Sequence, residues 1–163
     1  MALREIRVQG DPVLGKVCKE IKAVTPKIMD LIDDMIDTMY EANGVGLAAP
    51  QVGILKRLVV IDVGEGPIVM INPYIVSTEG EQIGDEGCLS VPGKAGQVTR
   101  PNRVVARFYN EEMDLCEIEG EELLARAICH ELDHLDGYLY VEKVEGGLHD
   151  VTYSEEELEE VEE

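Results

Sequence analysis

The stretch EELLARAICHELDHLDG occupies residues 121–137 and decides how the rest of the chain is interpreted. Its apolar residues recur at helical spacing, and they are Leu123, Leu124, Ala127, Ile128, Leu132 and Leu135. This recurrence is typical of a helix with one face buried in a core. Gly137 follows the last of these residues, and glycine is a common helix stop. The pattern therefore predicts a buried helix over residues 121–136.

The predicted helix contains the motif HELDH at residues 130–134. His130 and His134 are four positions apart, so on a helix they share one face, with Cβ atoms about 5 to 6 Å apart. Two imidazoles at that separation can bind one metal ion, and Glu131 projects beside the ion without having to ligate it. The alternative is a chance grouping on a surface face, but two of the only three histidines in the chain lie in this motif. The motif indicates a metal-dependent hydrolase.

A catalytic metal of this kind usually takes a third protein ligand and keeps one position open for water. The metzincin pattern HExxHxxGxxH matches through Gly137, but Tyr140 stands where its last histidine belongs. A thermolysin-like site would take a later glutamate, and the candidates are Glu155, Glu156 and Glu157. Those glutamates lie in a segment with few apolar residues to anchor it.

Cys88 is the preferred third ligand. It lies beside a glycine in the segment EGCLS at residues 86–90, which is too irregular for a core strand. A thiolate at this position would complete the metal site. A lone cysteine is otherwise most often a small buried apolar residue. That interpretation is kept for the other three cysteines, Cys18, Cys116 and Cys129.

The composition of the chain is that of a globular protein. Its 163 residues are about the length of one domain, with 45% hydrophobic and 29% charged residues. No stretch approaches the roughly 20 apolar residues that span a bilayer, and the first residues lack the pattern of a secretory signal. We therefore expect a cytoplasmic protein without a membrane segment. The net charge of -20 argues against a nucleic-acid partner.

A second amphipathic helix is predicted over residues 26–42, after Thr25-Pro26 and before Asn43-Gly44. Short runs rich in β-branched residues then predict strands at 57–63, 68–72 and 103–109. The expected fold is α+β, a single domain whose antiparallel or mixed sheets pack around a central helix that carries HELDH. The catalytic domain is expected over residues 1–145, and 146–163 is expected to be an acidic tail or a short helix.

Three motifs, in this order, resemble those of the peptide deformylases: GVGLAAPQ at 44–51, EGCLS at 86–90 and HELDH at 130–134. The resemblance covers roughly residues 5–145. GVGLAA also satisfies the GxGxxA dinucleotide fingerprint, but that fingerprint must follow a strand and open a helix. Here it follows a predicted helix and runs towards a predicted strand.

The resemblance implies removal of the N-formyl group from the initiator methionine of new polypeptides, which gives formate and a free amine. It implies a metal on Cys88, His130 and His134, with Glu131 as the residue that accepts and returns a proton. The Gln51 side chain and the Leu89 backbone N–H are expected to stabilise the oxyanion.

Substrate binding is expected to involve Val45, Gly46, Glu86, Leu123, Arg126 and Ala127. The peptide backbone beyond methionine is expected along a strand edge near Gly44–Gly46. Glu86 is expected to pair with Arg100, either as a fixed support for EGCLS or as an ordinary surface ion pair. Asp133 and Glu86 are both candidates for the carboxylate that accepts a hydrogen bond from a ligating histidine.

The resemblance implies Fe(II) as the metal in the cell, with Zn, Ni or Co in purified protein. The expected partners are N-formylmethionyl nascent chains and the ribosome, and the protein is expected to be a monomer. A metallopeptidase that uses the same helix stays an alternative. A structural metal closed by His149 as a fourth ligand is another.

Overall fold

A computed structural model of the chain describes residues 2–151. Two α-helices lie within this part of the chain, α1 (Pro26–Glu41) and α2 (Leu123–Leu135). The strands are β1 (Gly46–Ala48), β2 (Leu58–Ile61), β3 (Ile68–Glu79), β4 (Gln82–Cys88), β5 (Val91–Arg100), β6 (Arg103–Tyr109), β7 (Leu115–Glu121) and β8 (Glu145–Asp150). Short 3-10 helices cover Pro12–Gly15, Ala49–Val52 and Tyr140–Glu142. No helix between residues 2 and 151 is both long and apolar enough to cross a membrane.

Helix α1 forms where the sequence predicts it. The Thr25 side chain accepts a hydrogen bond from the Ile28 backbone N–H, and Pro26 stands in the first turn, where its missing N–H costs nothing. The helix ends at Glu41, and Asn43 follows with a φ of 58°, a conformation that asparagine tolerates better than most residues. Its apolar face is buried and comprises Leu31, Ile32, Met35 and Met39.

A five-stranded antiparallel sheet, in the order β1-β2-β3-β6-β7, separates the two helices. Strand β2 lies inside this sheet and is buried on both faces. Leu58 and Val60 join the core of α1, whereas Val59 and Ile61 join the core of α2. Each such side chain contributes about 1.5 to 3 kcal/mol of apolar burial. The sheet therefore fixes α2 from one side.

A second antiparallel sheet, in the order β4-β5-β8, holds the opposite side of α2. Arg126 on α2 donates a hydrogen bond to the Val98 carbonyl of β5, and His130 contacts Glu86 of β4. The helix that carries HELDH therefore lies between the two sheets. The expected α+β fold around a central helix is confirmed, and the sheets are antiparallel.

The second sheet is where sequence and structure differ most. EGCLS was expected to be irregular, yet residues 82–88 and 91–100 form paired strands, with Leu89 and Ser90 at the turn between them. The expected acidic tail or short helix at 146–163 is wrong for its first residues, because Glu145–Asp150 forms β8 and pairs with β5. Residues 152–163 lie outside the described part of the chain.

Candidate active site

Three metal-ligating side chains converge where the end of β4 meets α2. Cys88, His130 and His134 each offer one ligand atom, and these atoms lie within 4.8 Å of one another. Cys88 Sγ is 3.3 Å from His134 Nε2. Both histidines are buried and Cys88 is half-buried. The structure brings together the three residues that the sequence predicted as ligands.

Glu86 fixes the orientation of His130, one of the candidate metal ligands. Its Oε1 lies 2.6 Å from His130 Nδ1, so the other ring nitrogen of His130 stays available to a metal. Burial opposes ionisation of Glu86, but hydrogen bonds from His130 and Arg100 outweigh it and lower its pKa to about 2. The ionised carboxylate holds the histidine in one tautomer. His134 Nδ1 is buried and has no hydrogen-bond partner among residues 2–151.

The predicted pair between Glu86 and Arg100 is present and buried. Arg100 Nη2 and Nε lie 2.6 and 3.0 Å from the two Glu86 oxygens, and both side chains are at most 5% exposed. The interpretation as an ordinary surface ion pair is therefore wrong. Asp133, the other candidate support for a histidine, instead contacts Arg100 at 2.7 Å and Lys143 at 3.1 Å. Asp133 therefore supports Arg100 and not a histidine.

The electrostatics of the site suit a divalent cation. Burial lowers the pKa of His134 well below its usual value, which keeps the ring neutral as a ligand must be. At His130 burial acts in the same direction, but the acids Glu131, Cys88 and Glu86 outweigh it and raise the pKa. Acids that favour a proton on a buried imidazole also favour a metal ion there. A thiolate with two imidazoles is a donor set for first-row metals.

Glu131 lies beside the ligands without joining them. Its Oε2 is 3.9 Å from His130 Nε2, and its Oε1 is buried without a hydrogen-bond partner in the described chain. Burial raises the pKa of this carboxyl to about 7. A group with a pKa near neutrality can both accept and return a proton at physiological pH.

Gly46 gives Glu131 the room that it occupies. A Cβ added at Gly46 would lie 2.9 Å from both Cγ and Cδ of Glu131, which is closer than real Cβ contacts. The backbone of β1 therefore approaches the carboxylate directly. This close contact is a physical reason for glycine in the GVGLAAPQ segment.

If Glu131 carries the proton, as the sequence predicts, Gly46→Ala is expected to lower kcat by about 10²-fold, because displacing a catalytic group by about 1 Å has an effect of that size. The rate of the hydrolysis that the three motifs predict, at saturating substrate, would measure it, with circular dichroism to show that the fold is kept. Gly15→Ala is the matched control, since a Cβ there meets nothing within 4 Å. Wild-type kcat in Gly46→Ala would show that Glu131 does not depend on this contact.

A cavity of about 480 Å³ opens onto Cys88, His130 and Glu131. The predicted substrate-binding residues all line it, and they are Val45, Gly46, Glu86, Leu123, Arg126 and Ala127. Lining residues that the sequence did not single out include Asn43, Val91, Pro92, Lys94 and Val151. They belong to the loop after α1, to β5 and to the residue after β8. Strand pairing brings the β5 residues to the cavity, so no local motif marks them.

Gln51 and Leu89 lie in the wall next to the ligands. Gln51 Oε1 accepts a hydrogen bond from the Ala48 N–H at 2.9 Å, which fixes the amide in one orientation. Its Nε2 then donates to Ser90 Oγ at 3.0 Å and lies 3.5 Å from Cys88 Sγ. Ser90, which the sequence did not indicate, also directs its backbone N–H at Cys88 Sγ.

The sequence model of the family described as polypeptide deformylase matches residues 3–148. The chain belongs to the polypeptide deformylase family. A peptide deformylase of Agathobacter rectalis is 81% identical over 155 residues, which cover 95% of this chain and 98% of that protein. Family membership makes the chain a hydrolase that removes the N-formyl group from new peptides, as the three motifs predicted.

Solved deformylase structures share the fold. A peptide deformylase from Legionella pneumophila is 43% identical with a TM-score of 0.85, and the match covers 88% of this chain and 87% of that one. A peptide deformylase from Synechococcus elongatus in complex with actinonin is 41% identical, also with a TM-score of 0.85, over 88% of this chain and 81% of that one.

His149, the alternative fourth ligand, lies away from the candidate metal site. His149 Nε2 lies 3.5 Å from Asp85, and the His149 side chain is 52% exposed on β8. It is therefore not a fourth ligand of the described Cys88, His130 and His134 cluster. Glu155, Glu156 and Glu157 lie outside the described residues.

Proposed function

We propose that this chain deformylates N-formylmethionyl peptides with one divalent metal ion on Cys88, His130 and His134 and with Glu131 as the proton carrier. The observation that supports this most is the buried Glu131 carboxylate, which lies beside a three-donor cluster at the wall of a cavity. Three protein ligands leave a position open for catalysis, as in hydrolytic metal sites.

When bound there, a divalent metal would act as a Lewis acid and would lower the pKa of water towards about 7. We assign Fe(II) in the cell, because the family that the chain resembles is typically iron-dependent. A site with one thiolate and two imidazole ligands can hold either Fe(II) or zinc. Zn, Ni or Co are expected to replace it in purified protein. Cys88, His130 and His134 would hold each of these ions, with Glu86 fixing the His130 ring.

Glu131 moves the proton that the reaction requires. Water attacks the formyl carbon, and the Glu131 carboxylate accepts its proton. When the C–N bond breaks, Glu131 returns that proton to the leaving nitrogen, which would otherwise depart as a poor amide anion. Formate and a free amine result. The low exposure of Glu131 keeps bulk water from competing for this proton.

The tetrahedral oxyanion would be stabilised by the Gln51 amide and the Leu89 backbone N–H. Gln51 is suited to this because its Oε1 is tied to Ala48, so that its Nε2 is directed towards Cys88 and the cavity. A single donor of this type is worth about 2.7 to 4 kcal/mol in the transition state. The fixed amide requires little reorganisation as charge develops.

The methionine side chain would enter between Val45, Leu123 and Ala127, which give the cavity apolar walls. The peptide beyond it would add a strand to β1, which ends the five-stranded sheet and pairs only with β2 among the described strands. Strand addition recognises backbone groups, so selectivity for later side chains would be low.

We further propose that the enzyme acts in the bacterial cytoplasm, on nascent chains at the ribosome, as a monomer. Formylated initiation supports this location, and the A. rectalis relative is bacterial. Sedimentation of the metal-loaded protein would report the oligomeric state. Cosedimentation with ribosomes would report the contact.

Formate release from formyl-Met-Ala-Ser tests the proposed function. Protein prepared anaerobically with Fe(II) is expected to bind one equivalent of metal, to release formate and to leave acetyl-Met-Ala-Ser almost untouched. Unblocked Met-Ala-Ser is the control for a metallopeptidase. Cleavage of that peptide without formate release from the formyl peptide would overturn the proposal.

A further inference from the structure

Arg126 connects the cavity to the residues that hold the metal. It stands one helical turn before His130 on α2, lines the cavity and is only 7% exposed. Leu123 and Ala127, the neighbouring predicted methionine contacts on the same helix, also line the cavity. Of these three cavity-lining residues, Arg126 is the one that donates a hydrogen bond to Glu86 in the described chain.

Arg126 completes the hydrogen bonding of Glu86. The Oε1 atom of Glu86 contacts Arg100 Nη2 at 2.6 Å and His130 Nδ1 at 2.6 Å. Its Oε2 accepts from Arg100 Nε at 3.0 Å and from Arg126 Nη1 at 2.7 Å. Each oxygen therefore has two partners, and rotation of the carboxylate would break bonds at both. Without Arg126, only Arg100 would hold Oε2.

The guanidinium of Arg126 is itself fixed by the second sheet. Its Nη1 also donates to the Val98 carbonyl at 3.1 Å. Gly84 on β4 leaves the room that the guanidinium occupies, because a Cβ there would lie 3.3 Å from Nη2. A displacement of the Arg126 side chain would change its hydrogen bond to Glu86.

We propose that Arg126 is a positioning residue that links the methionine pocket to the metal ligand His130 through Glu86. The inference rests on the proposed function, because it takes the cavity as the methionine pocket. A methionine side chain that packs on the Arg126 stem holds the guanidinium against Glu86, and Glu86 holds the His130 ring. Binding of the methionine side chain therefore affects kcat as well as KM.

Arg126→Met tests this link, because it keeps an apolar stem and removes the hydrogen bonds. We expect metal affinity, measured by chelator competition with Zn(II), to fall about 10-fold, the lower end of the effect of removing an outer hydrogen-bond partner of a metal site, because Arg126 acts on His130 only through Glu86. We also expect lower kcat and a smaller kcat preference for formyl-Met-Ala-Ser over formyl-Ala-Ala-Ser. Arg126→Lys retains one donor and is expected to lie between Arg126→Met and wild type.

Leu123→Ala is the matched control, since Leu123 lines the same cavity and is not bonded to Glu86. It is expected to raise KM and to leave metal affinity unchanged. If Arg126→Met had wild-type metal affinity and only a raised KM, Arg126 would merely line the cavity. That result would overturn the proposed connection from Arg126 through Glu86 to His130. If Arg126→Met does not fold, wild-type affinity in Arg126→Lys would overturn it. Absence of formate release by the wild type would refute the proposed function separately, because chelator competition does not depend on activity.

Discussion

Replacing Glu131 with glutamine is expected to lower kcat for formate release by about 10²- to 10⁴-fold, the contribution typical of a positioned general acid–base. Glutamine has nearly the same size and cannot carry the proton. The effect should fall on kcat and leave the metal ligands in place, because Glu131 does not belong to the three-donor cluster. Formate release at saturating formyl-Met-Ala-Ser and metal content per chain would measure both.

Asp136→Asn is the matched control for this substitution. It also converts a carboxylate to an amide at the end of α2, but Asp136 is 53% exposed and pairs only with Arg57 among its described contacts. A surface pair of this kind contributes about 0 to 1 kcal/mol to stability. The control should keep wild-type kcat. If Glu131→Gln retained more than about a tenth of the wild-type kcat, the proton-carrier role would be lost.

The helices and the pair of His130 and His134 on one helix face could be predicted from the sequence because their signals are local. The apolar period of α2 and the spacing of His130 and His134 both arise within one helix, so one segment contains all the information. Strand β6 was predicted with its full bounds, Arg103–Tyr109, since every second residue is apolar and faces a core. A strand that is buried on one face therefore shows an alternation of apolar and polar residues in its sequence.

The supports of the site could not be predicted with the same accuracy. Strands β4 and β5 contain glycine, proline and polar residues, and they are stabilised by pairing with each other and by buried charges. The sequence could name Glu86 and Asp133 as candidates, but not which one faces a histidine. That choice depends on where Arg100 of β5 lies relative to α2.

Strand β8 shows the limit of pattern-based prediction. All its residues are exposed, so no alternation of apolar and polar residues marks it. Its position follows from backbone pairing with β5, with Ala95 opposite His149. This pairing places Val151 at the cavity wall, although nothing in the local sequence indicates a role there.

The Glu86→Gln variant is expected to lose about 3 to 5 kcal/mol of folding stability, because removing one partner of a buried ion pair leaves the others uncompensated. Arg100 and Arg126 are both buried, and both donate to this carboxylate. For a domain of this size the loss corresponds to a fall in Tm of roughly 6 to 20 °C. Urea denaturation of the metal-free proteins would measure the stability change directly.

Glu119→Gln is the matched control for the stability change in Glu86→Gln. It makes the same chemical change beside an arginine, since Glu119 Oε1 lies 2.6 Å from Arg103 Nε, but that pair is exposed. Water screens the charges there, so a change of only about 0 to 1 kcal/mol is expected. Equal losses in the two variants would mean that burial does not set the strength of the Glu86 network. A large loss of folding stability confined to Glu86→Gln would show that this carboxylate links β4, β5 and α2. The same carboxylate would then both stabilise the fold and support His130.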